Sequence, residues 1–464
     1  MIKSFSVFIF ISLIFNYYNY NLYHLLKKKI TNCLNFYFLI TKMELYNHRS
    51  KILFFAFLIG FFLKLYIRNP NPTDEVKGFQ IDKLSKVRPL FKKLLYTERE
   101  GASIAVYHKN NLVLHLYGGY ADKESNREWE EDTHTVVFSL SKAVTSMIIS
   151  HLVSKNLITY DTKISSIWKE FGLHHKSNAT LRHVLDHEVG LITFGAHLTL
   201  DDLMDDNKIS KIIEEAKPLW PVGSTTAYHA LTRGFILNQI VKRIVGKSIG
   251  RYLKDNIISK IQYPEFYISL PEKVNQHVAR ISNPHVIESI YEWALHPLTF
   301  LKLVYNFFKY NKVSDIASNY PEPLAIMKNY VPYNNPKIYK LEVPSANGIG
   351  TSRGLSSLLS YFITSDLITP EVKKMIERPL KYVDDKVLVN KIYRGYGFTY
   401  DIHPLNSNKY IMSFVGNGMQ VLDVDLNNEI VICLLRNGLR PGLQGHSQYI
   451  GIRHEIFKSL SNNL

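Results

Sequence analysis

The stretch HTVVFSLSKAVTSMIISHL, residues 134–152, contains a short polar cluster inside an apolar run. Val144, Ile148 and Leu152 recur at helical spacing, which predicts one face of a buried helix. That spacing does not account for Ser139 and Lys142 at the front of the helix. They are either a helix cap and a solvent lysine, or a nucleophile and its activator.

The Ser-x-x-Lys spacing has a chemical basis in the second interpretation. A serine hydroxyl is a weak nucleophile and needs a base or a lowered pKa. A lysine three residues later lies one helical turn away, and burial would lower its pKa enough to let it accept or relay the serine proton. Alone the pattern is weak, because SIWK at 166–169 also matches it. Both interpretations stay open on this motif alone.

Three further segments give the motif its context: ATLRHVLDHEVGL (179–191), WPVGSTTAYHALTRGF (220–235) and PSANGIGTSRGLSSLLSYF (344–362). Together with FSLSK (138–142), and in this order, they resemble the β-lactamase-related serine hydrolases of class C type. That family includes esterases and D-amino-acid peptidases. The resemblance covers roughly residues 80–460 and implies the β-lactamase/transpeptidase-like fold.

The resemblance also implies a site and a reaction. Ser139 would attack an ester or amide carbonyl and carry the acyl group, without metal or cofactor. Lys142 would lower the proton affinity of the serine, and Tyr228 would be the general base, its phenolate stabilised by the neighbouring ammonium. Tyr228 could instead be a buried packing residue, one of thirty tyrosines. The oxyanion hole would use the backbone N–H groups of Ser139 and Asn417, beside Gly416.

The sequence departs from the family pattern in two places. Ala230 stands where the family's Tyr-x-Asn motif has its asparagine, and Phe414-Val415-Gly416 stands in place of Lys-Thr-Gly or His-x-Gly. Phenylalanine cannot hold a substrate carboxylate, which argues against penicillin-type anions. The alternative function is a catalytically weakened, β-lactamase-like scaffold that assembles with further copies of itself. The expected partner of the enzyme is a small-molecule ester or peptide.

The periodicity of the main region predicts strands at both ends and helices between them. A helix is predicted over 80–98 and a hairpin over 103–121. Late strands are predicted at 393–402, 409–415, 419–426 and 429–437. We therefore expect an α/β (α+β) domain over 78–464, with a mixed antiparallel sheet built from both chain ends, flanking helices and an all-helical insertion.

Residues 1–77 form a predicted leader with apolar segments at 4–15 and 52–67. The second is predicted to be a single-pass transmembrane anchor, slightly short for a hydrocarbon core of about 30 Å. The flanking charges favour a lumenal or extracellular main domain, and a mitochondrial location stays open. Met43 is a candidate start.

The remaining composition excludes several classes of function. The net charge is +16, but residues 1–80 carry +7 of it, and no long basic run follows, so no nucleic-acid partner is expected. Cys33 and Cys433 are the only cysteines, too few for a disulfide framework or a Cys-ligated zinc site. His183 and His187 have the spacing of zinc ligands, but the histidine that would complete a zincin motif is absent, and we expect them to be structural.

Overall fold

The computed structural model describes residues 75–461 apart from 194, 286–287, 289–300, 302–304, 306–320, 327–329, 389 and 441–442. The described residues belong to one compact unit. The predicted membrane anchor at 52–67 lies outside them, so the anchor stays a prediction. Of the helices that are described, none is long and apolar enough to cross a membrane.

The strands form one large and one small antiparallel sheet. They are β1 (Lys77–Gln80), β2 (Gly101–His108), β3 (Asn111–Asp122), β4 (Arg127–Glu128), β5 (Thr135–Phe138), β6 (Phe266–Tyr267), β7 (Gly348–Gly350), β8 (Lys381–Asp385), β9 (Asn390–Gly395), β10 (Phe398–His403), β11 (Asn406–Gly416), β12 (Gln420–Asp425) and β13 (Ile430–Arg436). The large sheet has the order β1-β3-β2-β13-β12-β11-β10-β9-β8 with β4 beside β3, and the small one has the order β5-β7-β6. Strand β2 pairs with β13, so the predicted sheet from both chain ends is confirmed.

The helices of the described residues lie mainly between the two groups of strands. They are α1 (Val87–Leu95), α2 (Ser141–Ser154), α3 (Leu181–Leu185), α4 (Leu200–Met204), α5 (Asp206–Glu215), α6 (Thr232–Val245), α7 (Ile249–Asn256), α8 (Pro336–Tyr339), α9 (Ser352–Thr364), α10 (Pro370–Ile376) and α11 (Leu443–Leu460). The described part of the insertion between β5 and β7 includes a short strand, β6, which pairs with β7. It is therefore helical but not entirely so.

Each face of the large sheet covers an apolar core. Helices α1 and α11 pack on one face, and α2, α6 and α9 contribute to the core on the other. Consecutive residues of β13 alternate between the two, since Ile432 belongs to the α1/α11 core and Cys433 to the α2 core. Burial on both faces explains why β13 is a continuous apolar run in the sequence.

Two predicted elements have different boundaries in the structure. The helix predicted over 80–98 begins only at Val87, because Gln80 ends the strand that pairs with β3 and Asp82–Leu84 form a separate 3-10 helix. The strand predicted over 393–402 is two strands, because Tyr396 and Gly397 have φ values of +56° and +86° and form a turn. The hairpin predicted over 103–121 is confirmed as β2 and β3.

Candidate active site

Ser139 lies between β5 and α2, where the backbone turns sharply. Phe138, the last residue of β5, has φ +46°, in the left-handed region that bulky residues rarely adopt. Helix α2 begins at Ser141, and its N-cap residue is Leu140, which makes no side-chain capping bond. The interpretation of Ser139 as the helix cap is therefore wrong.

The side chains of Ser139, Lys142 and Tyr228 meet at this turn. The Ser139 Oγ lies 2.6 Å from the Tyr228 Oη and 3.3 Å from the Lys142 Nζ. The Lys142 Nζ lies 4.6 Å from the centre of the Tyr228 ring. Motif residues that are 89 positions apart in the sequence thus form one hydrogen-bonded group.

Lys142 is buried and not a solvent lysine, with 3% of its surface exposed. Its Nζ donates to the carbonyl oxygens of Ala230 and Ser345, both at 2.8 Å, and its third direction faces Ser139. Burial lowers the pKa of Lys142 well below its usual range, and the positive charges of Arg233 and Arg394 lower it further. Deprotonation of Lys142 beside the Ser139 hydroxyl is therefore easier than for a lysine in water.

The backbone of Tyr228 is held by a buried carboxylate that the sequence did not single out. The Asp385 Oδ1 accepts the Tyr228 N–H at 3.1 Å and the N–H groups of Val387 and Leu388. Its Oδ2 accepts from the Arg394 Nη2 at 2.6 Å, and both of these side chains are buried. An aspartate before a turn is common, so its place in the sequence does not indicate a partner 157 residues away.

Two neutral histidines complete the surroundings of Tyr228. The His187 ring lies 4.9 Å from the Tyr228 ring, and its Nδ1 accepts the His229 N–H. The His229 Nε2 accepts the Leu191 N–H, and burial lowers the pKa of His229 to about 4. His183 instead interacts with Thr180 in the capping box of α3. His187 therefore packs beside Tyr228 at the site. The sequence predicted only a structural role for it, not this position.

The end of β11 lies against the turn that carries Ser139. A Cβ on Gly416 would come within 2.9 Å of the Val137 carbonyl oxygen, so a larger residue would not fit there. Asn417 follows it, and neither its N–H nor that of Ser139 donates to an acceptor among the described residues. The Phe414 ring is buried, 6.1 Å from the Phe398 ring.

Residues 87–454 match the Beta-lactamase family. The chain is similar to the esterase/beta-lactamase LipL of Mycobacterium tuberculosis, with 24% identity over 372 residues, covering 77% of this chain and 82% of that protein.

Several solved structures have similar folds, and two of them illustrate the likeness. A penicillin-binding protein homologue from Caulobacter crescentus gives a TM-score of 0.71 at 23% identity, over 83% of this chain and 100% of that one. A family VIII carboxylesterase gives a TM-score of 0.71 at 21% identity, with the same coverage. At these identities, the likeness concerns the fold.

Proposed function

The chain belongs to the beta-lactamase family, and we propose that it is a serine hydrolase that cleaves an ester or amide bond through an acyl-enzyme on Ser139. The observation that carries the proposal is the contact of the Ser139 Oγ with both the Tyr228 Oη and the Lys142 Nζ. A hydroxyl that touches two groups able to take its proton is an activated nucleophile.

In the first half of the reaction, the Ser139 Oγ bonds to the substrate carbonyl carbon as its proton passes to the Lys142–Tyr228 pair. The pair then gives this proton to the leaving alcohol or amine as the scissile bond breaks. Water repeats the sequence and releases the acid. Because the pair must take up the Ser139 proton, its active form has one proton fewer than the fully protonated pair.

The backbone N–H groups of Ser139 and Asn417 are the proposed donors to the developing oxyanion. Both lie at chain turns, outside the hydrogen bonds of α2 and β11. Gly416 allows the strand to approach the Ser139 turn, since a side chain there would meet the Val137 carbonyl. Donors fixed in this way stabilise charge that appears only in the transition state.

Phe414 favours substrates whose acyl part is neutral. The aromatic pair Phe414 and Phe398 presents no cation at this part of β11, so a carboxylate brought there would lose its hydration without compensation. We therefore expect neutral esters to be cleaved faster than the same esters carrying a carboxylate on the acyl side.

A fluorophosphonate probe tests the proposal without knowledge of the natural substrate. The full chain should be labelled on Ser139, and both Ser139→Ala and Lys142→Ala should abolish labelling while circular dichroism shows an unchanged fold. Absence of labelling in the folded wild-type chain would contradict the proposal. Labelling that persists in Lys142→Ala would show that this lysine does not activate the serine.

The second candidate is a scaffold that keeps the fold without turnover, and the neutral Phe414 is the observation that favours it. Loss of the motif asparagine at Ala230 argues less for inactivity, because the Ala230 carbonyl oxygen accepts from Lys142. A folded chain that no acylating probe labels and that assembles into defined oligomers would support the scaffold.

A further inference from the structure

Arg233, the second residue of α6, is a fully buried cation five positions after Tyr228. Its Nε donates to the Leu185 carbonyl at 3.1 Å, and its Nη2 donates to the Ser146 Oγ at 2.7 Å and to the Gly397 carbonyl at 3.3 Å. Its Nη1 has no hydrogen-bond partner in the part of the chain that the structure describes. None of its three acceptors is a carboxylate.

The other cations near the site have acidic partners. Arg394 pairs with Asp385 at 2.6 Å, and Lys381 pairs with Glu188 and lies 3.6 Å from Asp186. Despite its ion pair, Arg394 still adds to the positive field at Lys142, as Arg233 does. The buried Asp186 carboxylate attracts the charge of Arg233 but makes no hydrogen bond with it. A buried guanidinium without a hydrogen-bonded carboxylate is costly to a fold, so the position of Arg233 calls for a compensating benefit.

The charged and titratable groups around Lys142 and Tyr228 come from four parts of the chain. They are Asp186, His187 and Glu188 after α3, His229 and Arg233 around the start of α6, Lys381 and Asp385 on β8, and Arg394 on β9. Burial lowers the pKa of both His187 and His229, so neither adds positive charge at neutral pH.

Arg233 is connected to α2 at the turn that contains Lys142. The Ser146 Oγ accepts from Arg233 and lies 2.8 Å from the carbonyl oxygen of Lys142, one helical turn earlier. Burial lowers the pKa of Arg233 only to about 10, so the guanidinium stays charged at neutral pH. A fixed positive charge at this place opposes the addition of a further proton to the Lys142–Tyr228 pair.

We propose that Arg233 is a positioning residue of the proposed hydrolase, whose buried positive charge keeps the Lys142–Tyr228 pair one proton short of full protonation at neutral pH. Arg233 does not touch the substrate. It acts through the electrostatic field of its guanidinium at Lys142 and Tyr228. The inference rests on the proposed function, and it names a residue outside the family motifs.

The test is the pH dependence of the rate constant for fluorophosphonate labelling of the full chain. Arg233→Met and Arg233→Gln remove the charge, and they should move the acidic limb of the profile upward by about one pH unit. Labelling below the limb then slows about tenfold, while the plateau at high pH is nearly retained. Ser146→Ala is the matched control, because it removes a hydrogen bond of Arg233 and leaves the charge in place.

A purely structural role of Arg233 would lower the thermal stability of the variants without moving the limb. The inference is overturned if the acidic limb of the labelling profile stays in place in either folded charge-removing variant. It is also overturned if Ser146→Ala shifts the limb by the same amount. Restoration of the wild-type limb by Arg233→Lys supports it. A folded wild-type chain that is not labelled at any pH contradicts the proposed function itself, an outcome distinct from an unshifted limb.

Discussion

Phe138 holds a backbone conformation, φ +46°, that costs a non-glycine residue about 1 to 3 kcal/mol. Its buried ring packs edge-on against Tyr333 at 5.0 Å, and its carbonyl oxygen accepts from the Ser141 Oγ at 2.5 Å. These contacts fix the strained turn. Ser139 is thereby kept out of both the β5 ladder and α2, so its hydroxyl is available to Tyr228.

The Tyr228 hydroxyl can be tested alone, because a separate group holds the backbone of this residue. Tyr228→Phe removes the Oη beside Ser139 and leaves the N–H bond to Asp385, so the fold should persist. We expect labelling or ester cleavage to slow roughly 100- to 10,000-fold, the usual contribution of a positioned proton-transfer group. The rate constant at pH 7 is the measurement. Tyr252→Phe, a buried tyrosine on α7, is the control and should label at the wild-type rate.

Some residues of the candidate site were predicted from the sequence and others were not. The difference is whether a motif identifies the residue or only contacts with distant parts of the chain do. Ser139 and Lys142 are one helical turn apart, and a motif places Tyr228 in the site. Asp385 and Arg233 matter only through partners brought close by the folded chain. Their spacing carries no such information, because a buried aspartate in a turn and an arginine on a helix are ordinary in sequence.

At the scale of elements, the turn between β9 and β10 replaces the single strand predicted over 393–402. The Gly397 N–H donates to the Asp186 Oδ1 at 2.8 Å, and its carbonyl oxygen accepts from Arg233 and Ser146. The turn thus connects the sheet to α2 and α6. Strand-forming residues on both sides of the turn concealed it in the sequence.

Gly397→Ala should destabilise the protein more than a backbone effect alone can. A Cβ at Gly397 would lie 2.6 Å from the Arg233 Nη2 and 2.8 Å from the Ser146 Oγ, at φ +86°. We expect a loss of roughly 3 kcal/mol or more in the free energy of unfolding, measured with urea, from the left-handed backbone and overpacking together. Gly246→Ala, at φ +69° with open space around it, should cost only about 1 kcal/mol. Equal losses in the two variants would show that the turn can move aside.

The β2–β3 hairpin contains a histidine that makes its stability depend on pH. His115 is buried beside the Ser103 Oγ, and burial first, then Arg353, lowers its pKa to about 3. Below pH 6.5 the unfolded chain takes up a proton at this residue and the folded chain does not, so stability is lost as pH falls from 6.5 toward 3.

His115→Gln should remove this part of the pH dependence. Between pH 7 and pH 5, the free energy of unfolding of the variant should fall by about 2 kcal/mol less than that of the wild type. Urea titrations at the two pH values measure the difference. His197→Gln, at a side chain that is 78% exposed, is the control and should behave as the wild type. An identical fall in His115→Gln and wild type would exclude His115 as the source.

At the scale of the whole molecule, α11 closes the core on the face of the sheet opposite Ser139. Tyr449, Ile452, Ile456, Phe457 and Leu460 are buried there. At about 2 kcal/mol for each side chain, their burial contributes on the order of 10 kcal/mol, comparable with the total stability of a domain.

A chain that ends at Leu439 should therefore lose its cooperative unfolding transition and bind a dye for exposed apolar surface. A chain that ends at Ser461 keeps α11 and should melt like the full chain. Thermal melts followed by circular dichroism compare the two. A cooperative melt in the shorter chain would show that the core on the Ser139 side is sufficient by itself.

The overall architecture was predictable because the hydrophobic pattern of the sequence is strong. Apolar runs such as β13 are typical of strands buried on both faces, and helical spacing fills the middle of the chain. The turn at Tyr396 and Gly397 and the strand β6 were not predictable, because they are fixed by tertiary contacts with α2 and β7.

The pairing of β2 with β13 has a consequence for synthesis on the ribosome. The two strands are separated by the residues between His108 and Ile430, which take roughly 16 to 64 s to translate. During that time, Ser139, Lys142 and Tyr228 have been synthesised, but β13, the strand that pairs with β2, has not. The incomplete chain leaves one edge of β2 unpaired, and the group formed by Ser139, Lys142 and Tyr228 should be complete only after translation of the last strand.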